Sequence, residues 1–105
     1  MPAYIFVNVV IHDLDKFRAY ADANAQLVVK HGGKYLVLGG GSETLEGAPL
    51  IGKKVISEWP SREAALAYWH SPEYAAICKL REGICDAQIM LLDGFTAPQA
   101  LNESK

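Results

Sequence analysis

The stretch "EWPSREAALAYWHSPEY", residues 58–74, carries the punctuation that decides the fold. Alternation through Lys53–Trp59 reads as a strand, and Pro60 stops it because proline has no N–H to give to a sheet ladder. Ser61 then caps a helix that runs to about Trp69. Ser71 followed by Pro72 starts a second helical piece, since serine is favoured at the N-cap and proline at the first helical position. One strand thus feeds a bent pair of helices. The same stretch holds four of the chain's seven Trp and Tyr residues, which makes it the first place to look for a pocket.

Working outward, "AYIFVNVVI" (residues 3–11) is a strand of β-branched and aromatic residues. Its two faces, Tyr4, Phe6, Asn8 and Val10 against Ile5, Val7, Val9 and Ile11, are both largely apolar, so it is expected to be covered on both sides. Asp13 caps a helix in which Leu14, Phe17, Ala21, Ala25 and Val28 recur at three- and four-residue spacing, and Gly32 and Gly33 close it. A second strand, 34–38, runs into "GGGS", with "ETLEG" as its short continuation. After the bend, "PEYAAICKLREGI" places Tyr74, Ile77, Leu80 or Arg81, and Ile84 on one side, and "AQIMLLD" is the last strand. The order β-α-β-β-α-β predicts an α+β, ferredoxin-like domain, with a four-stranded antiparallel sheet and two crossover helices on one face. The domain spans 1–95, and a tail of 96–105 has little to bury and is expected to be mobile.

A chain of 105 residues supplies one core. Half its residues are apolar and its formal charge is −2, which gives no general attraction to nucleic acid or an anionic membrane. There is no positively charged leader and no apolar run of bilayer length, so a cytoplasmic protein is expected. Cys78 and Cys85 lack neighbouring ligands and read as reduced core thiols. His12, His31 and His70 stand at element boundaries without i, i+4 pairing, and no metal or cofactor is predicted. "GGGS" lacks the Lys-Ser/Thr of a phosphate loop and is read as a bulge or turn needing positive φ.

Trp59, Tyr68, Trp69 and Tyr74 either line a pocket for an aromatic ligand or simply pack the core and a subunit interface. Tyr68 and Trp69 are helix neighbours and are not both expected to face inward, which makes Trp69 with His70 the expected pocket rim. Asn8, alone among apolar strand residues, needs a hydrogen-bond partner: a neighbouring strand, a water, a symmetry-related side chain or a ligand. Arg81, among apolar neighbours, needs Asp86, Glu58 or a substrate carboxylate. The candidate catalytic set is Tyr20 as acid, His70 as base and Arg81 as anchor; the candidate ligand contacts are Asn8, Trp59, Trp69 and Tyr74.

Gly32 to Gly40, "LEG", "EWPS", "SPEYAA" and the R-x-G-x-x-D of Arg81, Gly83 and Asp86 together resemble a small uncharacterised bacterial family, the domain of unknown function thirteen-thirty, over residues 3 to about 95. The resemblance implies a dimeric α+β barrel, a homodimer packing its open sheet faces together. Many relatives carry an arginine before the glycines where Leu38 stands, so an anion site resting on that residue does not carry over. The family brings no accepted activity. Its wider superfamily includes cofactor-free monooxygenases, isomerases, polyketide cyclases, haem enzymes and plain binders. Three readings follow: a cofactor-independent enzyme acting on a small hydrophobic or aromatic carbonyl compound, a non-catalytic ligand binder or stress-related accessory protein, and a structural dimer without a pocket. "MPAYIFVNV" also resembles the start of tautomerases that use an exposed proline, here Pro2, but nothing later in the chain supports that reading.

Overall fold

Three side-chain caps set the helices. Asp13 accepts from the Lys16 N–H and starts α1 (Leu14–Lys30). Ser61 accepts from the Ala64 N–H and starts α2 (Arg62–Trp69), and Ser71 accepts from the Tyr74 N–H and starts α3 (Pro72–Cys78) with Pro72 in its first turn. Each such cap is worth about 1 kcal/mol. The computed structural model describes residues 1–95, so the expected tail lies outside the described residues.

The strands are β1 (Ala3–Ile11), β2 (Lys34–Gly40), β3 (Lys53–Trp59) and β4 (Cys85–Asp93). They form one antiparallel sheet in the order β2-β3-β1-β4, so each of the two helical connections passes over a strand that lies between its ends. This is the ferredoxin-like α+β fold. β4 begins at Cys85, two residues before the alternating run, because Cys85 and Asp86 continue the ladder opposite Ile11 and Val10.

Two expectations change. "ETLEG" is not a strand: residues 41–51 have no regular structure and are exposed. Gly39, at φ +70, breaks the β2–β3 register and turns the chain away at the sheet edge, where no further strand offers a ladder. The returning end is held by side chains, with Asn8 Nδ2 donating to the Ile51 carbonyl at 2.9 Å and Lys54 Nζ to that of Leu50 at 2.8 Å. The second change is at α3, which ends at Cys78 and tightens into a 3₁₀ turn over Lys79–Arg81, so Arg81 leaves the end of a helix rather than its middle.

β1 has two different faces, as its pattern requires. Ile5 and Val9 are buried under the helices, with Val7 and Ile11 beside them. On the opposite face Phe6 pairs with Ile56 and Met90, Tyr4 pairs with Leu92, and no helix among the described residues covers them; Met90 is 50% and Leu92 43% exposed. On the helical side, Ile5, Tyr20, Leu27, Val28, Trp59, Ala65, Tyr68 and Tyr74 form the core.

Trp59, 1% exposed, is the best-buried large side chain, and its indole N–H donates to Ser57 Oγ at 2.9 Å. Its ring occupies the space a Cβ at position 33 would need, at 2.8 Å from two ring carbons. Gly33→Ala is therefore expected to cost about 1–3 kcal/mol by overpacking. Gly40→Ala, with nothing within 4 Å of the new Cβ, should shift the midpoint far less. Urea unfolding of the two variants checks the difference.

Candidate functional site

The helices do not close onto the sheet. Between α1, the end of α2, α3 and the helical face of the sheet lies a cavity of about 410 Å³, within the usual range of small-molecule sites. Its floor is Ile5, Val7, Val9, Val55 and Ile89, and its walls are largely aromatic: Phe17, Tyr20, Tyr35, Tyr68, Trp69 and Tyr74.

The polar groups are few and grouped in two clusters. In the first, the hydroxyls of Tyr20 and Tyr74 meet at 2.8 Å, and Arg81 Nη2 donates to Tyr74 at 3.3 Å. The guanidinium carbon stands 5.4 Å from the centre of the Tyr20 ring, an arrangement that favours a cation. In the second, Tyr68 donates to Asn24 Oδ1 at 2.5 Å, while Asn24 Nδ2 donates to the Tyr35 hydroxyl at 3.4 Å. Burial pushes the Tyr20 and Tyr68 phenols well above their ordinary value, with the neighbouring Tyr74 adding in the same direction, so both stay protonated and act as hydrogen-bond donors.

Of the sequence candidates, Tyr20, Arg81, Trp69 and Tyr74 come together on this cavity. Tyr68 joins them although it precedes Trp69 on the same helix: Tyr68 is buried, while Trp69 is half-buried and lies against Tyr74 with ring centres 4.9 Å apart. His70 does not join. It caps the end of α2, is exposed, and lines only a separate hollow of about 190 Å³ beside Leu66 and Met90. His70 is thus not brought together with Tyr20 and Arg81. Trp59 is core rather than cavity wall. Asn8, 6% exposed, faces the other side of the sheet, where it bonds Ile51 and, at 3.4 Å, Gln88. Its amide N–H thus finds a loop carbonyl of its own chain, while Oδ1 is buried without a hydrogen-bond partner among the described residues.

The expected internal partners of Arg81 are engaged elsewhere. Asp86 pairs with His12 at 2.8 Å, and Glu58 accepts from Tyr4 at 3.0 Å and lies 3.3 Å from Lys34. Pro2 is not on the cavity; its carbonyl accepts from the Gly94 N–H at 2.8 Å. Among the described residues no group of three or more His, Cys, Asp or Glu is placed to hold a metal ion, and both cysteines are free. No helix among them is long and apolar enough to cross a membrane. Sequence reasoning missed Asn24 and Tyr35. The signal for Asn24 was present, since a polar residue one turn before Val28 falls on the helical stripe that otherwise meets the sheet.

The fold and the cavity define a ferredoxin-like domain with an aromatic-walled site under its helices. The chain belongs to the family described as Domain of unknown function (DUF1330), which matches residues 2–95. No curated protein matches the sequence. Among solved structures, a protein of unknown function from Rhodopseudomonas palustris is similar at 20% identity and TM-score 0.72, over 90% of this chain and 83% of that one. SnoaB, a cofactor-independent oxygenase from Streptomyces nogalater, is similar at 14% identity and TM-score 0.63, over 93% of this chain and 94% of that one. These likenesses are of fold.

The buried phenols give a pH signature. Because their folded pKa values lie above the unfolded value of about 10, their contribution to stability is complete below pH ~10 and is lost as pH rises beyond it. Each phenol contributes a slope of about 1.4 kcal/mol per pH unit in that window. Tyr20→Phe should remove about that much of the decline between pH 10 and pH 11, read from urea unfolding at the two pH values.

Proposed function

We propose that the cavity binds a small hydrophobic or aromatic carbonyl compound and that the chain is a cofactor-independent enzyme of the isomerase, cyclase or monooxygenase type. The observation that carries this reading is the Tyr20–Tyr74–Arg81 cluster set into the wall of an otherwise apolar cavity. Such pockets bury a ligand's apolar body and orient it with a few placed polar groups. Likeness in fold to a cofactor-independent oxygenase supports the reaction class as an analogy.

The first step common to these reactions is enolate formation. A proton leaves the carbon next to the carbonyl, its bonding pair becomes the new carbon–carbon double bond, and the carbonyl π pair moves onto oxygen. Neutral phenols held in a low-dielectric wall stabilise that oxygen where the charge develops. Tyr20 is the donor to it, Tyr74 positions Tyr20, and Arg81 anchors the substrate. Among the described residues no histidine or glutamate lines the cavity, and its one carboxylate, Asp22, is exposed. The substrates suited to this site are therefore acidic ones that give up the proton to water. The same observation favours a second reading, a non-catalytic binder. A structural dimer with a filled core fits poorly with a cavity of this size.

The working unit in this proposal is a homodimer. The uncovered sheet face presents Phe6, Val37, Ile56, Met90 and Leu92 together, an apolar row of the kind that pairs with a second copy. Met90→Asp should convert the dimer to a monomer in light scattering while leaving the circular dichroism spectrum unchanged, because Met90 is half exposed in the single chain. A dimer that survives Met90→Asp would count against this face.

Native mass spectrometry of protein purified from its own host should show a dimer with a retained small molecule, and Trp69→Ala should lose the molecule but keep the dimer. Returned to fresh protein in air, the compound should be converted; recovery unchanged would favour the binder.

A further inference from the structure

Arg81 is a cation without a counter-ion among the described residues. It lines the apolar cavity, yet no carboxylate among the described residues lies within salt-bridge distance of it. The partners expected from the sequence are taken, Asp86 by His12 and Glu58 by Tyr4 and Lys34, and neither the neighbouring Glu82 nor Asp22, the cavity's exposed carboxylate, forms an ion pair with it. What Arg81 does touch is neutral, the Tyr74 hydroxyl through Nη2 at 3.3 Å and the face of the Tyr20 ring. Its Nε is buried and has no hydrogen-bond partner among the described residues. A half-buried guanidinium with one covered, idle donor is costly to keep unless something completes it.

The geometry points to a carboxylate on the ligand as that missing partner. Nε and Nη2 share one edge of the planar guanidinium, the edge that takes a carboxylate in two parallel N–H···O bonds; because Nε is covered in this arrangement, the side chain turns toward the cavity to offer that edge. Nη2 is already directed at Tyr74 through a long hydrogen bond that yields readily to a charged acceptor, and Tyr74 is joined to Tyr20. A carboxylate docked on this edge therefore places the rest of the ligand beside both phenols, with Phe17 and Trp69 as aromatic walls for a flat apolar body. The substrate class is a small aromatic or apolar carboxylic acid that also carries the reacting carbonyl. The proposal rests on the cavity being the binding site, and it gives Arg81 the role of recognising charge, separate from the hydroxyl that meets the carbonyl.

Benzoate and its neutral isostere benzamide test this on the full chain, read by quenching of tryptophan emission, with Trp69 the tryptophan on the cavity. Wild type should bind benzoate about tenfold or more tightly than benzamide, as expected for charge-assisted hydrogen bonds. Arg81→Gln should bring the ratio to about one, and Arg81→Lys, which keeps the charge and loses the fork, should fall between. Equal binding of the two probes by wild type, or a ratio unchanged in Arg81→Gln, overturns the carboxylate anchor and leaves the cavity reading standing. Binding of neither probe overturns both. If Arg81→Gln does not fold, the wild-type ratio and the Arg81→Lys ratio decide.

Discussion

The contact on which the site depends is made between hydroxyls. α1 and α3 meet through the tips of Tyr20 and Tyr74, and α1 meets α2 through Asn24 and Tyr68. A tyrosine reaches well beyond a leucine before it ends in a group that must be hydrogen-bonded once buried. Helices joined tip to tip in this way stand away from the sheet, and the space beneath them stays open. Leucines at the same positions would let the helices settle onto Ile5, Val7 and Ile89. The cavity is thus a product of how the helices are held together.

That arrangement also suits the two duties proposed for Tyr20. Burial raises the pKa of Tyr20 and Tyr68, so the hydrogen bonds that hold the helices are bonds of neutral groups across the range in which most proteins work. A neutral donor in a dry wall is what a developing oxyanion requires. The structural and chemical demands on Tyr20 do not conflict, whereas a histidine there would change charge near neutrality and put the helix contact at risk.

The element order was legible because its signals are local. Asp13, Ser61 and Ser71 each bond an N–H three residues on, and Gly39 takes a backbone angle that other residues avoid, so none of them depends on the rest of the chain. The failures were those of long range. "ETLEG" has strand-like residues but no neighbour to pair with, and pairing is what makes a strand. His70 was drawn into the site by proximity to Trp69 in sequence, yet one helical position rotates a side chain about a quarter of a turn around the axis. Two of the three partners the sequence offers Arg81, Asp86 and Glu58, are bound instead by residues 74, 54 and 24 positions away from them.

β1 links these parts. Its residues alternate, so Ile5, Val7 and Val9 floor the cavity while Tyr4, Phe6 and Asn8 serve the uncovered face. The period of a strand is two, which keeps the two sets independent: a side chain can change on one face without entering the other. The middle of β1 nonetheless couples them through the backbone, because Asn8 fastens the 41–52 loop from one face while Val7 and Val9 stand beside it on the other. A partner packed against Phe6 and Met90 would therefore stiffen the strand that forms the cavity floor without touching the cavity. In the proposed dimer, assembly and ligand binding would meet in nine residues that are largely apolar on both sides.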